Sequence, residues 1–353
     1  MKPLEILEQL SNAYGPPGYE DEVRTLVVRF LSEISDEVKV DKMGNVIAIK
    51  KGKEEYPKIL LAAHMDEVGF IVTHIDDDGF LRFTPLGGLL PHVLSGQQVT
   101  IISDNKKVPG YIGIKPPHLM SEEERKKPIE IDNMFIDVGA QSAEEAHKMG
   151  IHIGSVGTFS TKFKKLTSKK VLGKAFDDRA GLTAIIQTFY NLKDSDYNIV
   201  AVATVQEEVG LRGAKVAAWQ TNVDYAIVLE GTTAADTPES NTHKRSTVQC
   251  KGPAITVADK SIIVPAYIVR TLTEIAEKYN IPYQFKQTIS GGTDAGAIHL
   301  TKEGIPAGVI SIPCRYIHSA ASILCIDDLK NTIKLVEAFI KEISETPSNK
   351  NYK

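Results

Sequence analysis

The amino-acid sequence predicts an α/β protein: a three-layer α/β/α sandwich around a mixed, largely parallel sheet, with a small all-β domain inserted into it. Both ends of the 353-residue chain alternate apolar, strand-like runs with segments whose apolar residues recur at helical spacing. Between them, residues 70–162 hold short alternating strands punctuated by Gly, Pro and Asp, which is typical of a barrel or sandwich. The length also exceeds what one core usually holds, so two domains are expected.

The first part of the chain is predicted to form two helices followed by three strands. Apolar residues recur at helical spacing over 3–13 and 19–34, and the sequence GPPG at 15–18 separates the helices as a turn. The strand-like runs that follow are EVKVD, NVIAIKKG and PKILLAAHMDEVGF. We interpret the last run as one continuous strand that is buried on both faces.

The inserted domain is predicted to span residues 70–162 and to be barrel-like, so that residues 1–69 and 163–353 together form the α/β domain. Its strand-like runs are FIVTHID, LRFTPL, QQVTIIS, KVPGYIG, MFIDVG and VGTFST. The polar and charged stretch KPPHLMSEEERKK, at 115–127, is predicted to be a loop.

After residue 170 the alternation of strands and helices returns, which indicates that the insert interrupts the α/β domain rather than follows it. A Gly-rich loop, SGGTDAG, occupies residues 290–296. The predicted elements are helix 179–192, strand 198–205, helix 212–220, strand 225–230, a β-run at 246–257, helix 264–279, strand 283–288, strand 307–312 and helix 326–345.

The composition is that of an ordinary globular protein, with 42% hydrophobic residues, 24% charged residues and a net charge of −4. This mild acidity gives no reason to expect a nucleic acid or a membrane surface as a partner. The N-terminal helix pattern carries acidic residues and is not expected to be a signal peptide, and no stretch is long enough to span a bilayer. Three scattered cysteines, Cys250, Cys314 and Cys325, are expected to be reduced core residues of a cytoplasmic protein.

Acidic residues and histidines stand where the apolar runs end. In open α/β folds these strand ends carry the site residues, because parallel strands finish at the same edge of the sheet. Imidazole and carboxylate together suit Zn, Co or Mn, and five ligands can serve two metals if one carboxylate bridges. The candidates are His64, Asp66, Asp177, Asp178, Glu207, Glu208, Glu230 and His318.

Some of these candidates also have a structural interpretation. A lone strand-end histidine such as His64 is more often a satisfied structural residue than a ligand, although Asp66 can accept its second ring N–H and fix the tautomer. Asp177 and Asp178, followed by Arg179, could form a helix cap and an ion pair.

Two adjacent glutamates, Glu207 and Glu208, end the apolar run NIVAVATVQEEVG. A solvated loop is the alternative for this pair, but the preceding residues are apolar and the following VGLRGA is turn-like rather than charged. A turn at a strand end can bring both side chains to one pocket. One glutamate then serves as a metal ligand and its neighbour as a general base on the metal-bound water.

Five motifs, HMDEVGF, KAFDDRAG, VQEEVGLRGA, VLEGT and RYIHS, are spread over nearly the whole chain. In these motifs the sequence resembles the dinuclear metallo-aminopeptidases of the tetrahedral-aminopeptidase and glutamyl-aminopeptidase type, some of which carry an endoglucanase label. The resemblance implies a zinc-peptidase-like fold and a hydrolase that removes N-terminal residues from peptides, with two divalent metal ions, Zn or Co, per subunit. It also implies that the β insert makes dimer contacts and that the protein is a dimer or a tetrahedral dodecamer.

The resemblance also assigns the metal ligands residue by residue. His64 and Glu230 hold one metal, Glu208 and His318 hold the other, and Asp177 bridges the two. Many relatives place Asp where Glu230 stands. A glutamate is one methylene longer and remains a competent ligand, so the difference concerns metal affinity or spacing.

The remaining roles follow from the same resemblance. Glu207 is the general base that takes a proton from the water bridging the two metals and returns it to the leaving amine, while Asp66 orients His64. Residues Gly292, Thr293 and Asp294 of the SGGTDAG loop are expected to lie next to the substrate. A simple strand-helix turn is the alternative for that loop.

Three other functions are compatible with parts of this pattern. A glycoside hydrolase also uses paired carboxylates, but it leaves His64, His318 and Asp177 unexplained and predicts aromatic sugar platforms, whereas the chain has one Trp. An N-acyl amino-acid deacylase shares the chemistry and differs in accepting blocked amines. A non-catalytic scaffold is the third alternative, although each expected ligand and the base are present.

Overall fold

The computed structural model describes residues 2–103, 106–238 and 245–345. In these residues the chain forms a mixed sheet of eleven strands with helices packed on it, and a separate closed barrel of six antiparallel strands. The predicted α/β sheet and the all-β insert are therefore both confirmed.

The helices account for most of the segments with helical spacing. They are α1 (Pro3–Asn12), α2 (Asp21–Ser32), α3 (Glu122–Lys126), α4 (Ala143–Lys148), α5 (Phe176–Leu192), α6 (Arg212–Trp219), α7 (Ala266–Lys278), α8 (Ala295–Ile298) and α9 (Ile326–Glu345). Among the described residues, none of these helices is both long enough and apolar enough to cross a membrane.

The strands divide between the sheet and the barrel. Those of the sheet are β1 (Glu37–Val40), β2 (Val46–Lys50), β3 (Lys58–His64), β10 (Lys164–Lys165), β11 (Lys170–Gly173), β12 (Asn198–Thr204), β13 (Tyr225–Thr233), β14 (Ala254–Ile255), β15 (Gln284–Phe285), β16 (Ala307–Arg315) and β17 (Ser322–Cys325). Those of the barrel are β4 (Gly69–Ile75), β5 (Leu81–Leu86), β6 (Gln98–Ser103), β7 (Lys106–Gly113), β8 (Phe135–Asp137) and β9 (Val156–Phe159).

The centre of the sheet consists of four parallel neighbours, in the order β12-β3-β13-β16, with antiparallel strands on either side. In this register Thr204 pairs with His64 at the carboxyl ends of β12 and β3. The carboxyl ends of the central strands therefore meet at one edge, where the chain leaves each strand for a loop.

Burial explains why these central strands read as continuous apolar runs. All seven residues of β12 are buried, and α5 packs on β3 and β13 while α1, α2 and α9 pack on α5. Successive residues of a strand point to opposite faces of the sheet, so a strand buried at every position needs apolar side chains on both faces. The barrel has its own core, which includes Phe70, Phe83, Ile101, Ile136 and Phe159.

The predicted continuous strand PKILLAAHMDEVGF is wrong, because the chain leaves the sheet after His64 and enters the barrel at Gly69. In the connection, the N–H of Met65 donates to Thr204 O at 2.7 Å and the N–H of Glu67 donates to Gly15 O at 3.0 Å. The run reads as one strand because the residues on both sides of the break are buried.

Two further predictions of secondary structure need correction. The stretch 115–127 is not only loop: it contains a 3₁₀ turn at Pro117–Leu119 and helix α3, whose first turn is capped by Ser121. The predicted strands at 246–257 and 283–288 shrink to the two-residue strands β14 and β15. Both pack at the margin of the sheet, where pairing is short.

The prediction of three reduced cysteines is also wrong. Cys250 and Cys325 form a disulfide with their Cα atoms 5.5 Å apart, while Cys314 is free and buried. The two bonded residues are 75 positions apart in the sequence, so only the fold brings them together. The expectation of a cytoplasmic location therefore loses the support that reduced cysteines gave it.

Candidate metal centre

The candidate residues come together from five separate segments. His64 ends β3, Glu230 lies within β13, and Asp177 lies in the first turn of α5. Glu208 follows β12, and His318 follows β16. The meeting of parallel strand ends at one edge thus assembles side chains that are far apart in the sequence.

The first group of possible ligands is His64, Asp177 and Glu230. The Nε2 atom of His64 lies 3.3 Å from Asp177 Oδ1 and 3.2 Å from Glu230 Oε1. The second oxygen of Glu230, Oε2, is buried and has no hydrogen-bond partner among the described residues. A buried carboxylate oxygen without a partner is costly, so this arrangement favours a cation between the three side chains.

The second group contains Asp177, Glu208 and His318. The Nε2 atom of His318 lies 3.7 Å from Asp177 Oδ2 and 3.5 Å from Glu208 Oε1. In each group the possible ligand atoms lie within 4.8 Å of one another, and Asp177 belongs to both. Imidazole and carboxylate ligands suit Zn, Co or Mn, so the residues present fit a pair of divalent cations that share Asp177.

Backbone carbonyls fix the two imidazoles. The Nδ1 atom of His64 lies 3.0 Å from Asp66 O, and that of His318 lies 3.1 Å from Gly88 O in the loop after β5. A carbonyl oxygen can only accept, so each Nδ1 carries the proton and each Nε2 lone pair is free to face a metal ion.

The Asp66 side chain mainly holds the loop of the paired glutamates. Its Oδ1 accepts the N–H of Glu207 at 2.9 Å and its Oδ2 accepts the N–H of Glu208 at 3.0 Å. Asp66 Oδ1 also lies 3.5 Å from Nδ1 of His64, farther than the backbone oxygen of the same residue. Asp66 therefore connects the end of β3 to the turn that follows β12.

That turn explains how two adjacent glutamates face one cavity. Gln206 adopts φ +56° directly before them, so the chain bends instead of continuing the alternation of the strand. The side chains of Glu207 and Glu208 are only 10% and 5% exposed, and Glu207 Oε2 lies 4.0 Å from His64 Nε2. Burial raises the pKa of the Glu207 carboxyl well above its usual value and raises that of Glu208 to about 7.

The two adjacent aspartates have different surroundings. Asp178 accepts the N–H of Gly181 at 2.9 Å and the N–H of His64 at 3.2 Å, so it caps α5 and ties the helix to β3. Asp177 turns toward the metal groups instead. Its backbone approaches β13 at Gly231, where an added Cβ would lie 2.7 Å from the Asp177 Cα. The helix-cap interpretation therefore describes Asp178 and not Asp177.

A cavity of about 600 Å³ opens beside both groups. Asp177, Glu207, Glu208, Glu230 and His318 all line it, and so do Gly292 and Thr293 of the Gly-rich loop.

Asp294 is not part of the described lining of this cavity. It is 1% exposed and accepts the hydroxyl of Thr204, and burial raises its pKa to about 6. Its side chain thus supports the end of β12 from behind the cavity.

Sequence reasoning missed a buried ion cluster behind this centre. Glu67 directly follows Asp66, Lys174 stands three residues before Asp177, and Arg179 stands two residues after it. All three side chains are no more than 3% exposed, and Glu67 pairs with both cations. The signal in the sequence is that these three charged residues lie beside the candidate ligands in the motifs HMDEVGF and KAFDDRAG.

Comparison with known proteins identifies the family. A family model described as M42 glutamyl aminopeptidase matches residues 44–335. The chain belongs to the M42 glutamyl aminopeptidase family. M42 members are metal-dependent hydrolases, which agrees with the two groups of possible ligands described above.

Individual M42 relatives are similar to this chain over nearly its whole length. A lysyl aminopeptidase of Pyrococcus furiosus is 38% identical over 96% of this chain and 97% of its own length. The structure of a TET aminopeptidase from a Thaumarchaeota archaeon superimposes with a TM-score of 0.94 at 40% identity, covering 97% of both chains. The Pyrococcus horikoshii TET1 peptidase, described as assembling into a tetrahedron or a large octahedral shell, gives a TM-score of 0.85 at 33% identity, covering 96% of this chain and 99% of its own.

Proposed function

We propose that this M42 chain removes the N-terminal residue from peptides, using two divalent cations, Zn or Co, held in the two groups that share Asp177. His64 and Glu230 complete one group, and Glu208 and His318 complete the other. The observation that carries the proposal is the position of both groups beside one cavity, with Asp177 common to both.

Glu207 is the proposed general base. Bound divalent cations would polarise the scissile carbonyl and lower the pKa of water. Glu207 Oε2 lies 4.0 Å from His64 Nε2 of the first group, and Glu207 directly precedes Glu208 of the second group but belongs to neither. Its carboxylate is therefore available to accept the proton of the attacking water. It then returns that proton to the leaving amine, and proton transfer by a positioned carboxylate typically contributes about 10²- to 10⁴-fold in rate.

The carboxylates of the cavity support a preference for substrates with a free N-terminus. Four carboxylates line the cavity, and two divalent cations would balance their net charge, so an α-ammonium group would be held by a hydrogen bond to a carboxylate that its positive charge strengthens. An N-acetylated substrate lacks that charge. The backbone of Gly292 and Thr293 forms another part of the wall, where it can lie against the first residue of the substrate.

We further propose a division of labour between the two parts of the fold. Residues 1–69 and 163–353 form the catalytic domain, and residues 70–162 form a barrel that makes dimer contacts in a homo-oligomer. Support comes from the separate hydrophobic core of the barrel and from the shells formed by the TET1 peptidase of P. horikoshii. Size-exclusion chromatography with light scattering distinguishes a monomer, a dimer and a dodecamer.

Activity on a panel of free and N-acetylated aminoacyl-p-nitroanilides tests the function. The protein is stripped with a chelator and reloaded with Zn or Co before each assay. Turnover of free amines that returns with metal is expected. Turnover of acetylated substrates would identify a deacylase instead, and metal binding without turnover would support a scaffold.

A further inference from the structure

Glu20 is a buried acidic residue directly before α2. Its side chain is 1% exposed, and it is not among the described residues that line the cavity. Its Oε1 atom accepts the N–H of Gly18 at 2.7 Å and the N–H of Gln206 at 3.2 Å. Its other oxygen, Oε2, lies 3.8 Å from Arg24 Nη2. Glu20 therefore fastens the turn that follows β12 to the N-terminal segment of the chain.

Glu20 and Asp66 together bind three successive N–H groups of that turn. Glu20 accepts the N–H of Gln206. The two carboxylate oxygens of Asp66 accept those of Glu207 and Glu208. Gln206 adopts φ +56°, in the left-handed region, which a residue other than glycine occupies only when its surroundings hold it there. The hydrogen bond to Glu20 is thus one of the contacts that hold the bend directly before the two glutamates.

The two glutamates depend on this bend to different degrees. Glu208 belongs to a group of possible metal ligands, so a bound cation would hold its carboxylate in addition to the backbone contact with Asp66. Glu207 belongs to neither group, so the direction of its side chain is set by the turn. A general base works only within hydrogen-bond reach of the proton that it accepts, and a displacement of about 1 Å can lower a rate about 10²-fold. The proposed base is therefore the group most sensitive to loss of the bend.

We propose that Glu20 is a positioning residue for the general base: by accepting the N–H of Gln206, it holds the bend that directs Glu207 toward the two metal groups. This inference rests on the proposed aminopeptidase function and adds a residue outside the cavity. Since the base acts in the transition state rather than in substrate binding, loss of the contact should lower kcat and leave KM nearly unchanged.

The test compares the metal-loaded native enzyme with Glu20→Met, on the free aminoacyl-p-nitroanilide that the native enzyme hydrolyses fastest. Methionine has a similar length but no oxygen acceptor, so the N–H of Gln206 loses its partner. We expect kcat to fall by on the order of 10- to 100-fold. KM should stay within about twofold, and the metal content measured by mass spectrometry should stay at the native level.

Two milder variants test the acceptor itself. Glu20→Gln keeps an acceptor oxygen and should retain most of the native kcat. Glu20→Asp keeps the charge but withdraws the acceptor by one methylene, so it should lower kcat and decides the question if Glu20→Met does not fold. A loss in Glu20→Gln as large as that in Glu20→Met or Glu20→Asp would overturn the proposal.

A double variant separates positioning of the base from general support of the fold. In the Glu207→Gln background, Glu20→Met should change kcat by less than about twofold, because no base remains to be positioned. Losses that multiply would mean that Glu20 acts through the metals or the fold, which would overturn the proposal. Asp21→Asn is the control: Asp21 is 82% exposed and is the other acidic partner of Arg24, and its loss should leave kcat unchanged.

The outcomes distinguish this inference from the function on which it rests. If the metal-loaded native enzyme hydrolyses no free aminoacyl anilide, the aminopeptidase proposal fails and this inference fails with it. If the native enzyme is active and Glu20→Met retains its kcat, or loses activity through KM or metal content alone, the function stands and the positioning role is wrong. A loss of kcat in Asp21→Asn equal to that in Glu20→Met would assign the effect to the start of α2 and would also overturn the proposal.

Discussion

Glu67→Gln is expected to destabilise the protein strongly, although Glu67 belongs to neither metal group. The Glu67 carboxylate is 2% exposed and accepts five hydrogen bonds. Two come from Lys174 Nζ, at 2.6 and 2.8 Å, and one comes from Arg179 at 3.3 Å. The others come from Thr158 Oγ1 at 3.1 Å and the N–H of Gly15 at 3.0 Å.

The magnitude follows from what remains after the substitution. A neutral amide in place of the Glu67 carboxylate would leave Lys174 and Arg179, at 1% and 0% exposed, without their opposite charge. Removing one partner of a buried ion pair costs about 3–5 kcal/mol. Typical domains unfold with about 5–15 kcal/mol, so a large part of the total stability is at stake.

Urea unfolding followed by far-UV circular dichroism measures this cost in chelator-treated protein, so that metal loss does not contribute. In Glu67→Gln the urea concentration at the midpoint of unfolding should fall, with little change in the dependence of the unfolding free energy on urea concentration. Glu144→Gln is the matched control, because Glu144 pairs with Lys148 at the surface, where both side chains are at least 73% exposed. Such pairs contribute about 0–1 kcal/mol.

Two results would refute this reasoning. Glu67→Gln could cost no more than Glu144→Gln, which would mean that water or a rearrangement satisfies both buried cations. Alternatively, the double variant Glu67→Gln, Lys174→Met could be less stable than Glu67→Gln alone. We expect the double variant to recover part of the loss, since it removes one uncompensated charge.

Three more predictions concern the centre and its support. Glu207→Gln should lower kcat by about 10²- to 10⁴-fold while metal content measured by mass spectrometry stays at the native level; loss of metal would contradict its role as base. Asp177→Asn should weaken binding of both cations, whereas His318→Ala should weaken one, as measured by metal titration; equal stoichiometry in the two variants would contradict the bridging role. Burial lowers the pKa of Lys174 from 10.5 to about 8. Between these two pH values the unfolded chain therefore binds more protons than the folded chain. The unfolding free energy should therefore rise from pH 8 to pH 10.5 relative to Lys174→Met, and a constant difference in urea unfolding would refute this.

Much of the centre was predictable because its residues interrupt apolar runs. His64, Glu207 and Glu230 each stand at or near the carboxyl end of a buried strand, where an unpaired charge is costly without a partner. Parallel pairing of those strands then brings the interruptions to one edge. The α/β fold with its β insert was predictable for a different reason, since the hydrophobic period changes where the insert begins.

Contacts between distant segments could not be predicted in this way. The disulfide joins Cys250 to Cys325 across 75 positions, and no local period reports such a pairing. Lys286 reads as an ordinary lysine next to a short strand, and only the fold brings it into the cavity. The break after His64 was hidden because the residues that follow are as buried as the strand itself.

The segment between β3 and β4 explains why the barrel and the sheet must fit together for the centre to form. Within it, Asp66 holds the turn of Glu207 and Glu208, while the adjacent Glu67 is bound to Lys174 and Arg179 on either side of Asp177. Glu67 also accepts the hydroxyl of Thr158 from the barrel strand β9.

The second imidazole depends on the barrel as well, because His318 donates to Gly88 O in the loop after β5. Gly88, whose carbonyl orients His318, therefore belongs to the insert, and Glu67, which pairs with the cations on either side of Asp177, is hydrogen-bonded to it. A substitution that shifts the barrel relative to the sheet should therefore disturb the group of Asp177, Glu208 and His318 more than that of His64, which takes its orienting carbonyl from Asp66 at the end of its own strand.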